Sequence, residues 1–101
     1  MEFETGKEIL KSAIVYGLSE VFPSNKEVLP EFELPTACGL LRFKTRPTSP
    51  DHVTVIYLDD RRLYKVMTDC CQSREPVAFN RSVKEKLARD SFDSQCRKLL
   101  S

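Results

Sequence analysis

The chain has 101 residues, is 41% hydrophobic and 31% charged, and carries a formal net charge of +1. That length leaves room for one small core and excludes a second, while the near-neutral balance excludes a whole-molecule electrostatic attraction to nucleic acid. The charge is unevenly spread: residues 1 to 34 hold 3 basic against 7 acidic side chains, net −4, and residues 35 to 101 hold 13 against 8, net +5. An anionic partner is therefore expected on the C-terminal two thirds.

The N-terminus, Met-Glu-Phe-Glu-Thr, has neither a basic n-region nor a signal-length apolar run, and nowhere do about 18 apolar residues follow one another. The expectation is an intracellular protein, cytoplasmic or nuclear, with no membrane segment. In such a reducing compartment Cys38, Cys70, Cys71 and Cys96 are expected as free thiols.

Thr5 followed by Glu8 has capping-box spacing, and Ile9, Leu10, Ala13, Ile14, Gly17, Leu18, Val21 and Phe22 recur behind it at three and four residues. The spacing predicts a helix over 6–21, ended by Pro23. Gly17 in its middle costs helix propensity, and its missing side chain suits a close approach by a strand. Residues 23–37, with Pro23, Pro30 and Pro35, read as an extended connector, Phe32 and Leu34 tucked against the core.

From Gly39 to Met67 three β-favouring runs, Leu40–Thr45, Val53–Leu58 and Leu63–Met67, are separated by a Pro-rich turn and by Asp59-Asp60-Arg61-Arg62. This predicts a three-stranded antiparallel meander. In the first run Leu41, Phe43 and Thr45 alternate with Arg42, Lys44 and Arg46, so one face is apolar and the other basic. The second run is apolar on both parities and belongs in the centre; the third has mixed faces and suits an edge. Ser82 with Glu85 repeats the capping-box spacing, and Val83, Leu87, Ala88, Phe92, Cys96, Leu99 and Leu100 predict a last helix over 82–99. Its exposed side offers Lys86/Asp90, Arg89/Asp93 and Asp93/Arg97 as i,i+4 pairs. The expected fold is α+β, in the order α-β-β-β-α, with two helices packed on one face of the sheet and the other face open, all in a single domain spanning 1–101.

Catalytic chemistry finds little purchase in this sequence. His52 is the single histidine, and nothing around Cys70 or Cys71 forms a nucleophile signature. The cysteines lack paired zinc-ligand spacing, Asp59-Asp60 read as a solvated hairpin tip, and Gly6, Gly17 and Gly39 are too scattered for a phosphate loop. No catalytic residue, metal or cofactor is expected. Under oxidation the vicinal Cys70-Cys71 pair is the reactive feature, and a hydrolase or redox enzyme built on it ranks last.

The expected binding surface comprises Arg42, Lys44 and Arg46 with Arg61, Arg62 and Lys65, and Tyr57 or Tyr64 as stacking platforms. The order α-β-β-β-α resembles double-stranded-RNA-binding domains and the Alu-RNA-binding subunits of the signal recognition particle in layout, and layout does not carry function. Arg81, Lys84 and Lys86 are a sparse counterpart of the lysine cluster with which the first family grips phosphates, with Glu85 among them and no Lys-Lys-x-Ala-Lys run. Ser49-Pro50-Asp51 forms a proline-directed phosphorylation pattern whose added charge would mask the basic face. The first functional reading is a small protein-interaction module, an adaptor or assembly subunit, binding a protein partner or forming a homodimer; the alternative is RNA binding through the basic sheet face.

Overall fold

In a computed structural model, residues 1–23, 27–48, 51–68, 76–89 and 91–100 are described. The first helix, α1, spans Phe3–Val21 and buries Gly6, Leu10, Ile14, Gly17, Leu18 and Val21, a single stripe at three- and four-residue spacing. Glu2 is its N-cap, without a side-chain hydrogen bond, so Thr5 and Glu8 lie inside the first turns and form no capping box. At the other end the Phe22 N–H still donates to the Leu18 carbonyl, and Pro23 follows.

The sheet has four strands, one more than expected. They are β1 (Glu31–Thr36), β2 (Gly39–Pro47), β3 (His52–Leu58) and β4 (Arg61–Thr68), antiparallel throughout and in chain order β1-β2-β3-β4. β1 lies in the segment read as a connector, and its strict alternation puts Phe32 and Leu34 partly under the helices and Glu31, Glu33 and Pro35 outside. Proline is tolerated because β1 is an edge. Leu40, opposite Pro35, uses both its N–H and its carbonyl on Asp59 of the next turn, which leaves the Pro35 nitrogen facing the free edge.

Two tight turns close the same end of the sheet. In the β1–β2 turn the Thr36 hydroxyl donates to the Gly39 carbonyl at 2.7 Å and accepts from the Cys38 N–H at 3.0 Å. In the β3–β4 turn Asp59 and Asp60 both have positive φ, 48° and 65°, the mirror-image geometry that matches strand twist. Gly39, at φ +135°, is packed so closely on the Asp59 carboxylate that an added Cβ would lie 2.4 Å from its Oδ2. Only glycine fits there.

The predicted last helix is two helices, α2 (Pro76–Arg89) and α3 (Phe92–Leu100). Ser82 and Glu85 therefore sit in the middle of α2, and no cap forms between them. Of the expected ion pairs on this segment, Asp93/Arg97 forms, with Nε to Oδ2 at 2.9 Å, whereas Lys86 donates to the Met67 carbonyl on β4 at 2.9 Å. Asp90 lies outside the described residues, as do Ser49, Pro50, Cys70 and Cys71. The fold is α+β with an antiparallel sheet, as expected, and among the described residues it has four strands in place of three and three helices in place of two.

All three helices contribute to one core on one face of the sheet. Leu10, Ile14 and Leu18 of α1, Phe79, Val83 and Leu87 of α2 and Phe92 and Cys96 of α3 pack with Leu41, Phe43, Ile56, Leu58, Leu63, Tyr64 and Val66. Gly17 fulfils its expected role: a Cβ there would lie 2.2 Å from Cζ of Phe43, so α1 rests directly on that ring. Lys7 bonds Asp93 at 2.9 Å and ties α1 to α3. Its ammonium pKa is raised mainly by the Asp93 hydrogen bond. The Asp93 carboxyl is held below its ordinary value by hydrogen bonds from Lys7 and then Arg97.

Candidate functional site

Among the described residues the other face of the sheet carries no helix, and the strand register arranges its side chains in rows. One row reads Glu33, Arg42, Tyr57, Arg62 across the four strands; the next reads Glu31, Lys44, Val55, Lys65; a third reads Arg46, Val53, Met67 across β2, β3 and β4. Acid on the β1 edge, base on β2, apolar or aromatic on β3 and base on β4 is the pattern of the first two rows. Val53 is covered, Val55 and Tyr57 are half-buried, and Met67 is 45% exposed.

Arg42, Lys44 and Arg46 share this face, as their alternation with Leu41, Phe43 and Thr45 requires. They are not electrostatically equivalent. Arg42 is ion-paired with Asp60 at 2.9 Å and with Glu33 at 3.6 Å. Lys44 stands 5.5 Å from the centre of the Tyr57 ring, a cation–π geometry. Lys44, Arg46, Arg62 and Lys65 make no ion pair among the described residues. Between Lys44, Arg46, Val53, Val55 and Tyr57 lies a shallow depression of about 310 Å³.

Two expected members do not belong to this surface. Tyr64 is 7% exposed on the helix side, its ring edge-on to Phe92 at 5.6 Å and its hydroxyl 3.4 Å from the Lys86 carbonyl it donates to. Tyr64 faces inward opposite Ile56 by simple alternation with Lys65, and a register shift beside Ile56/Tyr57 makes Leu63 the additional residue, so Leu63 also turns inward while Arg62 stays outside opposite Tyr57. Arg61 pairs with the inward-facing Leu58, and its guanidinium reaches the Lys98 carbonyl at 3.4 Å, on the α3 side. Tyr57 is the aromatic residue of the open face, and Glu31 and Glu33, which sequence reasoning left out, sit in the same rows as the cations.

The remaining chemistry-bearing groups are engaged elsewhere. Asp59 and Asp60 hold the turn and Arg42, as described above. His52 lies against Phe22 with ring centroids 5.7 Å apart, and the length of β2, about 26 Å at strand rise, separates it from Cys38. Burial pushes the Cys38 thiol pKa up and that of fully buried Cys96 up to about 11. Beside Cys38 a cavity of about 500 Å³ is lined by Met1, Phe3, Gly6, Leu100 and Arg97, the last stacked 4.3 Å over Phe3 and bonded to Asp93. Among the described residues no group of three or more His, Cys, Asp or Glu is placed to hold a metal ion, and no helix is long and apolar enough to cross a membrane.

No family model matches the chain, and no curated protein or solved structure shows detectable similarity to it.

Proposed function

We propose that this chain is a non-catalytic protein-interaction module, an adaptor or assembly subunit, that binds through the open face of its sheet. The observation that carries the reading is the composition of the rows: an apolar and aromatic centre of Val55 and Tyr57 on β3 between flanks of both signs on β1, β2 and β4. Protein interfaces have that anatomy, a desolvated centre enriched in Tyr, Met and Arg inside a charged rim. A phosphate-tracking surface concentrates one sign, and here Glu31 and Glu33 share the rows while Asp60 and Glu33 neutralise Arg42. RNA remains the second reading because Lys44, Arg46, Arg62 and Lys65 make no ion pair among the described residues and share the face with Tyr57.

The test places a benzophenone side chain at Val55, with a control at exposed Ser12 on the outer face of α1, and irradiates the protein in extracts of its own cells. Protein adducts from Val55 and none from Ser12 support the module, whether the adduct is a second copy or another chain. Adducts to RNA transfer the face to the second reading, and the absence of any adduct from Val55 overturns both.

A further inference from the structure

The rows carry more than a general capacity for binding, because their order is self-complementary. We infer that the occupant of the open face is a second copy of this chain, docked face to face about a twofold axis that runs parallel to the strands between β2 and β3. The inference rests on the interaction-module reading and goes further by naming the partner, the axis and the contacts.

A twofold rotation about such an axis keeps every residue at its level along the strands and reverses the strand order. β1 then faces β4 of the other copy, and β2 faces its β3. In the first row Glu33 meets the partner's Arg62 and Arg42 meets the partner's Tyr57; in the second Glu31 meets the partner's Lys65 and Lys44 meets the partner's Val55. Every acid meets a base, and each inner cation covers an aromatic or aliphatic side chain, a cation–π contact for Arg42. Because the interface is isologous, each contact occurs twice.

The alternative twofold axis in the plane of the sheet runs along the rows. It would lay β1 on β1 and β2 on β2, so that the β1 glutamates face β1 glutamates and the β2 cations Arg42, Lys44 and Arg46 face one another. Like-charge juxtaposition disfavours it. Charge therefore selects one axis.

Two exposed apolar residues fall into place under the same operation. Met67 of β4 is 45% exposed and Leu29, just before β1, is 40% exposed. The Thr45 N–H donates to the Pro30 carbonyl at 2.8 Å, which puts this end of β1 level with Arg46 and hence with the row of Met67. The rotation brings Leu29 to the level of the partner's Met67. Two sheets packed in this way sit about 10 Å apart with strands nearly aligned.

The decisive experiment uses two variants of the full chain, Glu31→Lys/Glu33→Arg and Arg62→Glu/Lys65→Glu. All four side chains are exposed, and circular dichroism checks that both variants fold. Wild type is expected to dimerise in sedimentation equilibrium, more weakly at high salt. Each variant alone should dimerise at least about tenfold more weakly, a loss of about 1.4 kcal/mol, because basic β1 would face basic β4 in the first and acidic would face acidic in the second. Their equimolar mixture should recover the dimer, since both contacts are then between opposite charges.

Carbodiimide coupling between isotopically distinct wild-type chains should join Glu31 of one to Lys65 of the other. A monomeric wild type, variants that dimerise as well as wild type, or a mixture that stays monomeric would each overturn the inference. Failure of this inference alone is recognisable: Val55 adducts to a different protein from a monomeric chain leave the module reading standing, whereas no Val55 adduct removes both.

Discussion

The two faces of the sheet are made from alternate residues of the same strands and do different physical work. On the helix side Leu41, Phe43, Ile56 and Leu58 are at most 3% exposed, and the polar Thr45 and Thr54 satisfy each other through hydroxyls 2.9 Å apart. On the open side the immediate neighbours, Arg42, Lys44 and Tyr57, remain in solvent contact. Stability is concentrated on one parity, and the proposed recognition falls to the other.

The largest test of that division compares adjacent positions on β2. Phe43→Ala, which empties a fully buried site beneath Gly17 and beside Phe32, should lower unfolding free energy by about 3–5 kcal/mol. Lys44→Ala, one residue along, should change it by about 0.5 kcal/mol or less, and urea unfolding of both variants measures the difference. Next in size, Gly17→Ala should destabilise by about 1–3 kcal/mol through overpacking on the Phe43 ring, despite the gain of up to about 1 kcal/mol in helix propensity. A stabilised Gly17→Ala protein would mean that the ring yields.

Smaller still, Thr54→Val strands the Thr45 hydroxyl and should cost about 1 kcal/mol, while Thr45→Val with Thr54→Val should recover much of it. The weakest effect concerns the α1–α3 tie. The lowered Asp93 pKa means that its stabilisation is fully present above the ordinary carboxylate range and is lost as pH falls through the depressed value. The raised Lys7 pKa makes its contribution full below the ordinary lysine range and lost as pH rises through the elevated value. Asp93→Asn should therefore flatten the acid side of the stability–pH curve and leave neutral pH little changed in slope, as thermal unfolding between pH 2 and 8 would register.

How much of this was legible in the sequence depended on whether one period governed a segment. The α1 stripe and the parity of β2 follow from regular spacing, and both stand. β1 also alternates, Glu31-Phe32-Glu33-Leu34, but its prolines argued against a strand; the edge position removes the objection and becomes visible only when Leu40 is seen spending its backbone on Asp59. Tyr64 shares parity with Val66 and Thr68, so alternation already separated it from Lys65, whereas the inward turn of Leu63 needs the bulge.

In the last helical segment Leu87 to Phe92 is a step of five, out of phase with the steps of four on either side, and the break between α2 and α3 falls there. The candidate face was half legible. Its cations could be read from β2 and β4, but its acids came with the unexpected strand.

That strand order equals chain order has a kinetic consequence. Each sheet pairing joins neighbours along the chain through turns or short connections, so the loop-closure entropy for assembling the meander is small and low contact order favours rapid folding. The helices close over longer separations, as in the closure of α1 on α3, where Lys7 and Asp93 meet across 86 positions. If this closure follows the rate-limiting barrier, Lys7→Ala should accelerate unfolding and leave the refolding rate unchanged in a stopped-flow chevron. A slowed refolding limb would place the meeting of the chain ends inside the nucleus.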